Sequence, residues 1–182
     1  MRVVLASASP RRRALLEGAG FDVEVVAADV DETPVSGEPP MVMVGRLARA
    51  KAAAVGPRPG VVVVAADTTV DLDGRSLGKP ADPAEAAAML RSLAGRSHLV
   101  HTGVAVLSSS GSSQVVVTTE VTFGPVDETA VAWYVATSEP YDKAGGYAVQ
   151  GLAARFVAGI VGSLTNVIGL PVEETIGLVR TH

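Results

Sequence analysis

The stretch Val61–Val70, VVVVAADTTV, restricts the fold more than any other. A strand with one wet face alternates apolar and polar residues. This run does not alternate, so it reads as a central strand buried on both faces. Such a strand needs covering layers on each side, and helical patterns elsewhere in the chain supply them, which points to the α/β class. Its apolar part, Val61 to Ala66, is far too short to span a bilayer. Asp67 is expected where that strand ends. In open α/β sheets ligands gather at the carboxyl ends of strands, where a carboxylate binds a metal or takes a proton from water. The plain alternative is a turn-forming Asp. Thr68, Thr69 and Val70 stay strand-like, which weakens that alternative.

The other elements are read around this strand. Val3–Leu5 is a short buried strand, and Ser9-Pro10 opens a helix that stops near Gly18 or Gly20. Phe21–Ala27 alternates like a half-buried strand, and the acidic, Pro-rich segment DVDETPVSGEPP is a loop. A helix is expected from Met41 to Val55, ended by Gly56-Pro57. Asp73-Gly74 signals a hairpin, and Asp82-Pro83 with Glu85 a capped helix to about Ala94. Ser97–Leu107 and Gln114–Phe123 read as strands joined by a polar tip, SSSGSS. Asp127–Thr137 reads as a helix, SEPYDKAGGYAVQG as a loop, Leu152–Ile160 as a last strand and Val172–Val179 as a last helix. No repeat or linker interrupts the 182 residues, so one domain is expected over 1–182.

The N-terminal segment SASPRRR raises a physical question, because three adjacent arginines sit between an apolar strand and an apolar-periodic helix. A helix N-terminus carries unpaired N–H groups and partial positive charge, so Arg11 and Arg12 are unfavourable there in isolation. An anion at the helix tip resolves the conflict, and phosphate suits both the guanidinium fork and the strand–turn–helix geometry. Ser7 and Ser9 add hydroxyl donors. The alternative is a solvated basic cap. Arg13 is less specific and is expected to face solvent.

Of fifteen basic residues only Lys51, Lys79 and Lys143 are lysine. A position that keeps Lys in an Arg-rich chain has use for a compact, mobile ammonium, or is a survivor of compositional bias. Lys51 shares a helix face with Val44, Leu47 and Ala48, so its stem packs inward and its head reaches polar company by snorkelling or by meeting a ligand. Glu32 lies in the acidic loop and is able to share a Mg²⁺ with Asp67, while Asp29 and Asp31 read as solvated. Gln150, between glycines, offers a donor and an acceptor to a base edge, although a polar loop residue is the ordinary reading. His98, His101 and His182 form no ligand-spaced cluster and read as structural or surface groups. Trp133 and Tyr134 read as rim and core of a helix.

The net charge of −4 and 4% aromatic content disfavour nucleic-acid binding. The absence of cysteine excludes thiol chemistry. With no secretory segment or membrane span in the pattern, a soluble cytoplasmic protein is expected.

Seven segments occur in order along nearly the whole chain: SASPRR, DET, RLARAKA, ADTTV, GKP, YDKAGGYAVQG and GSLTNVIGLP. Together they resemble the Maf family of nucleotide pyrophosphatases, related in fold to the inosine triphosphatases. The resemblance implies an elongated mixed sheet flanked by helices, with a cleft between two lobes. It implies hydrolysis of a nucleoside triphosphate to the monophosphate and pyrophosphate with a divalent metal, Mg²⁺ or Mn²⁺, held by Asp67 and Glu32. Asp67 then matches the proton acceptor, and Ser7, Arg12, Glu32, Lys51 and Lys79 match polar positions around phosphates and metal. Arg11, Thr68 and Gln150 match the branch acting on dTTP and UTP rather than the branch acting on 7-methyl-GTP. Lys143 is expected to add phosphate charge. Leu164 departs from that branch, which often has an aromatic residue there. The family is also linked to septum formation, so a nucleotide-sensing regulator is the rival reading. A homodimer is a possible assembly.

Overall fold

The computed structural model describes residues 1–182. Seven strands form one mixed sheet: β1 (Arg2–Leu5), β2 (Asp22–Val25), β3 (Val62–Leu72), β4 (Arg75–Leu77), β5 (Ser97–Ser108), β6 (Gly111–Phe123) and β7 (Val157–Val161). Their order is β2-β1-β3-β5-β6-β7, with β4 paired to the far end of β3. β1 runs parallel to β2 and β3, and the remaining pairings are antiparallel. Six helices complete the fold: α1 (Pro10–Gly18), α2 (Pro40–Val55), α3 (Pro83–Leu93), α4 (Glu128–Val135), α5 (Leu164–Ile168) and α6 (Val172–Arg180). None is long and apolar enough to cross a membrane. The expected class, a mixed α/β sheet flanked by helices, is what forms.

The valine run is central and dry on both sides. Val62, Val64 and Ala66 pack with Leu16, Val104, Leu170 and Val179 on one face. Val63 and Ala65 pack with Val4, Ala48 and Ala52 on the other. Each fully buried Val contributes about 1.5–3 kcal/mol of transfer free energy. The small residues on the second face let α2 lie almost on the sheet, where a methyl at Gly103 would run into the Val44 carbonyl. Beyond Asp67 the sheet carries a second core of Val70, Leu93, Phe123, Tyr134 and neighbours, under α3 and α4.

Local chemistry sets the boundaries. Ser9 caps α1 and accepts the Arg12 N–H, and Asp82 caps α3 through the Glu85 N–H. The hairpin between β3 and β4 turns on Asp73 (φ 55°) and Gly74 (φ 81°), the doubly positive geometry that Asp-Gly favours. His98, in β5, hydrogen-bonds Tyr147 Oη at 2.7 Å and is a structural group, its pKa pushed down to about 4 by burial. His101 bonds Thr118 and Asp71 in the same structural sense.

Four expectations need correction. Asp67 does not end its strand, because β5 pairs with β3 as far as Asp71 and Asp67 lies opposite Gly103. What ends there is the neighbour: β1 pairs with β3 only at Val62–Val64, and β4 takes over only from Val70. The segment Leu152–Phe156 is a 3₁₀ turn rather than strand, since Glu139 accepts the Leu152 and Ala153 N–H groups and Phe156 turns into the core. The serine tip is shorter than expected, with Ser112 and Ser113 already paired in β6 opposite Leu107 and Val106. Finally, α5 has no counterpart among the expected elements.

Candidate active site

Where β1 stops short of β4, the edge of β3 from Ala65 to Thr69 has no strand partner, and a cleft of about 600 Å³ opens against it. All ten residues singled out from the sequence line this one cleft. The turn after β1 brings Ser7 and the tip of α1. The loop after β2 brings Glu32, the fourth turn of α2 brings Lys51, and β3 brings Asp67 and Thr68. Lys79 follows the β4 hairpin, and the loop from Glu139 to Gly151 brings Lys143 and Gln150.

On the α2 face of β3 lies an ion-paired trio. Lys51 Nζ donates to Asp67 Oδ1 at 2.7 Å and pairs with Glu32 Oε1 at 2.8 Å. Lys51 and Asp67 are both buried and Glu32 is exposed. Burial raises the Asp67 carboxyl above its ordinary value, against the opposing pull of Lys51 and Arg12. A carboxylate shifted in that direction is a better proton acceptor at neutral pH. Its Oδ2 is left without a partner.

On the opposite face sits Arg12. Its Nε donates to the Gly169 carbonyl at 2.9 Å, Nη1 to Ser7 Oγ at 2.9 Å, and Nη2 to Thr68 Oγ1 at 3.1 Å. All three acceptors are neutral. The nearby carboxylates are committed elsewhere, Asp67 and Glu32 to Lys51 and Asp142 to Arg11 and Lys143. Desolvation lowers the Arg12 pKa, with Asp67 opposing and Arg11 adding to the shift. A guanidinium has five N–H donors, so two remain for a guest. A cation held by neutral groups, with no ion pair of its own, is chemically suited to receive an anion.

The outer residues are less fixed. Arg11 Nη1 reaches Asp142 at 3.1 Å, and Lys143 bonds Asp142 and the Glu139 carbonyl. Lys79 is exposed and makes no ion pair, and Gln150 sits exposed at the rim with its amide unengaged. Arg13 pairs with Glu17 on the solvent side of α1, as expected. Sequence reasoning gave no role to Thr102 and Asn166, which support the cleft from behind, or to Gly169, which lines it. The signal for α5 was present in Ser163 as N-cap and Gly169 as stop.

Fold and site together define an α/β protein whose cleft presents a guanidinium free of ion pairs beside a buried carboxylate–ammonium pair. The chain belongs to the Maf family: the family model described as Maf-like protein matches residues 2–182. It is 52% identical over 179 residues to the dTTP/UTP pyrophosphatase of Myxococcus xanthus, covering 98% of this chain and 91% of that one. It is 50% identical over 181 residues to the dTTP/UTP pyrophosphatase of Pelotomaculum thermopropionicum, covering 98% and 95%. The solved Staphylococcus aureus Ham1 protein aligns with 16% identity and a TM-score of 0.45, over 68% of this chain and 72% of that one.

Proposed function

We propose that this protein hydrolyses nucleoside triphosphates, dTTP and UTP before others, to the monophosphate and pyrophosphate. The observation that carries the reading is the unpaired Arg12 cation facing the same cleft as the Asp67–Lys51 pair. The activity named for its relatives agrees with it. The substrate pool lies in the cytoplasm, where we place the enzyme.

In this reading Ser7, Arg12 and the tip of α1 hold the phosphate chain, with Arg11, Lys79 and Lys143 closing over it. A water lies against Asp67 Oδ2 and attacks the α-phosphorus. Asp67 takes the water's proton as the new P–O bond forms, and the bond from the α-phosphorus to the bridging oxygen breaks. Pyrophosphate leaves with its charge met by Arg12, Lys51 and Lys79. Stabilising that charge is usually the largest catalytic contribution. Thr68, whose hydroxyl already receives an Arg12 N–H, orients the guanidinium, and Gln150 faces the base.

The residues also fit a divalent metal. Asp67 Oδ1 and Glu32 Oε1 already converge on one cation, the Lys51 ammonium. Mg²⁺ and Mn²⁺ sites of this kind need only one or two carboxylates, with phosphate oxygens and water completing the shell. Bound there, such an ion would neutralise phosphate charge and polarise the phosphorus for attack.

The test is a panel of triphosphates incubated with the protein and Mn²⁺, with products identified. Pyrophosphate release is expected, fastest with dTTP and UTP. Asp67→Asn is expected to fold and to lose about 10²- to 10⁴-fold in rate. A folded Asp67→Asn enzyme with near wild-type turnover would falsify the assignment.

A further inference from the structure

Behind the cleft a second threonine stands in an otherwise aliphatic row. On one face β5 presents Val100, Thr102, Val104 and Val106, all essentially without solvent exposure. A valine would fill the same volume at Thr102, and a hydroxyl in a dry layer costs free energy unless it is bonded. Thr102 Oγ1 lies 2.9 Å from Thr68 Oγ1, its cross-strand partner, and 3.1 Å from the Asn166 carbonyl.

The shorter bonds fix the protons, because each hydroxyl has only one to give. Arg12 Nη2 only donates, so Thr68 Oγ1 accepts from it. The Asn166 carbonyl only accepts, so the Thr102 proton goes there. The Thr68 proton then has two acceptors, Thr102 Oγ1 at 2.9 Å and the Gly169 carbonyl at 3.3 Å, and the shorter contact takes it. The chain runs from the guanidinium through two hydroxyls to α5. Asn166 is in turn pinned to the sheet, its Nδ2 donating to the Val100 carbonyl and to Thr119 Oγ1, both at 3.0 Å. Its main-chain carbonyl also receives the N–H of Gly169, whose own carbonyl holds Arg12 Nε. Two of the three bonds that aim Arg12 thus trace back to the Asn166 carbonyl, and the third goes to Ser7.

We propose that Thr102 is a positioning residue: its buried hydroxyl fixes the Thr68 hydroxyl and, through it, the aim of Arg12 at the phosphate chain. The inference rests on the triphosphate reading of the cleft. Chains in which each hydroxyl both accepts and donates stiffen cooperatively, and this one begins on a cation. The role is therefore energetic only while Arg12 is present.

The experiment is a double-mutant cycle with two readouts, kcat/KM for dTTP and calorimetric binding of inorganic tripolyphosphate with Mg²⁺. Thr102→Val is expected to lower both about 5- to 10-fold, the scale of one hydrogen bond. Thr102→Ser is expected to recover most of the loss, because it keeps the hydroxyl. In an Arg12→Lys background the same Thr102→Val change is expected to cost less than about 2-fold. Equal losses in both backgrounds, or a Thr102→Ser enzyme as weak as Thr102→Val, overturn the proposal. Thermal melts check folding, and Thr102→Ala supplies the same deletion if the valine is not accommodated. A wild type that binds tripolyphosphate but releases no pyrophosphate removes the proposed function and leaves the binding cycle decisive. A wild type that does not bind it overturns both.

Discussion

Replacing Lys51 by methionine tests the energetics of the buried trio. Methionine keeps an unbranched stem against α2's packed face and removes the charge. Glu32 is 58% exposed in its side chain, so its bond to Lys51 is screened and adds little. The cost falls on Asp67, whose side chain is 12% exposed. Removing one partner of a buried pair typically costs about 3–5 kcal/mol, because the other charge is left uncompensated. Asp67 has an escape, since it can take up a proton. Burial already raises its pKa above 3.8, and Lys51 supplies the largest opposing pull. Without Lys51 the shift grows. A carboxyl raised in the folded state binds more protons than the unfolded chain between the two pKa values, so stability falls as pH climbs through that window. The variant's deficit should therefore be smallest at acid pH and grow by up to about 1.4 kcal/mol per pH unit. For a chain of this size about 3 kcal/mol is a Tm drop of about 6–12 °C at pH 8. Thermal melts of both proteins at pH 5 and pH 8 measure it. A Tm difference that is the same at the two pH values would refute the claim that Lys51 stabilises the fold by compensating Asp67.

Two further outcomes are expected. Gln150→Glu should change the ratio of dTTP and UTP turnover to that of purine triphosphates several-fold in a competition assay. Its Tm should move by no more than about 2 °C, because the side chain is exposed and unbonded. Gly103→Ala should cost about 1–3 kcal/mol in urea denaturation and lower kcat, because the new methyl pushes back the α2 backbone at Val44 and with it the helix that carries Lys51. A stable, fully active Gly103→Ala protein would show that α2 has slack the close packing denies.

Much of this was readable from residues alone because it is local. The unbroken valine run, Ser9-Pro10, Asp73-Gly74 and Asp82-Pro83 each carry their own geometry, and each forms where expected. Lys51 was legible from its helical spacing with Val44, Leu47 and Ala48. What escaped depends on distant partners. Thr102 looks like ordinary β-branched filler in HTGVAV, and its bonds run to residues 34 earlier and 64 later in the chain. α5 has five residues, too few for a periodic signal, and is tied to the sheet by the Asn166 side chain. The place of Asp67 was misjudged for a related reason. One strand's sequence shows how far that strand runs, but the opening beside it is set by where β1 stops.

That opening explains why adjacent residues of β3 serve different halves of the site. Side chains alternate across a sheet, so Asp67 meets Lys51 on the α2 face while Thr68 meets Arg12 on the other. In a fully paired sheet these groups would be insulated from each other by the strand itself. Here β3 between Ala65 and Thr69 lacks a neighbour on one side, so a guest lying against the bare edge reaches around both faces at once. A phosphate chain is long, flexible and charged along its length, which suits a site divided in this way. In the proposed reaction the carboxylate and its ammonium act at one phosphorus while the guanidinium holds charge from across the strand. The early end of β1 is thus the structural event on which the proposed chemistry depends, because extending that strand by two or three paired residues would close the edge and separate Asp67 from Arg12.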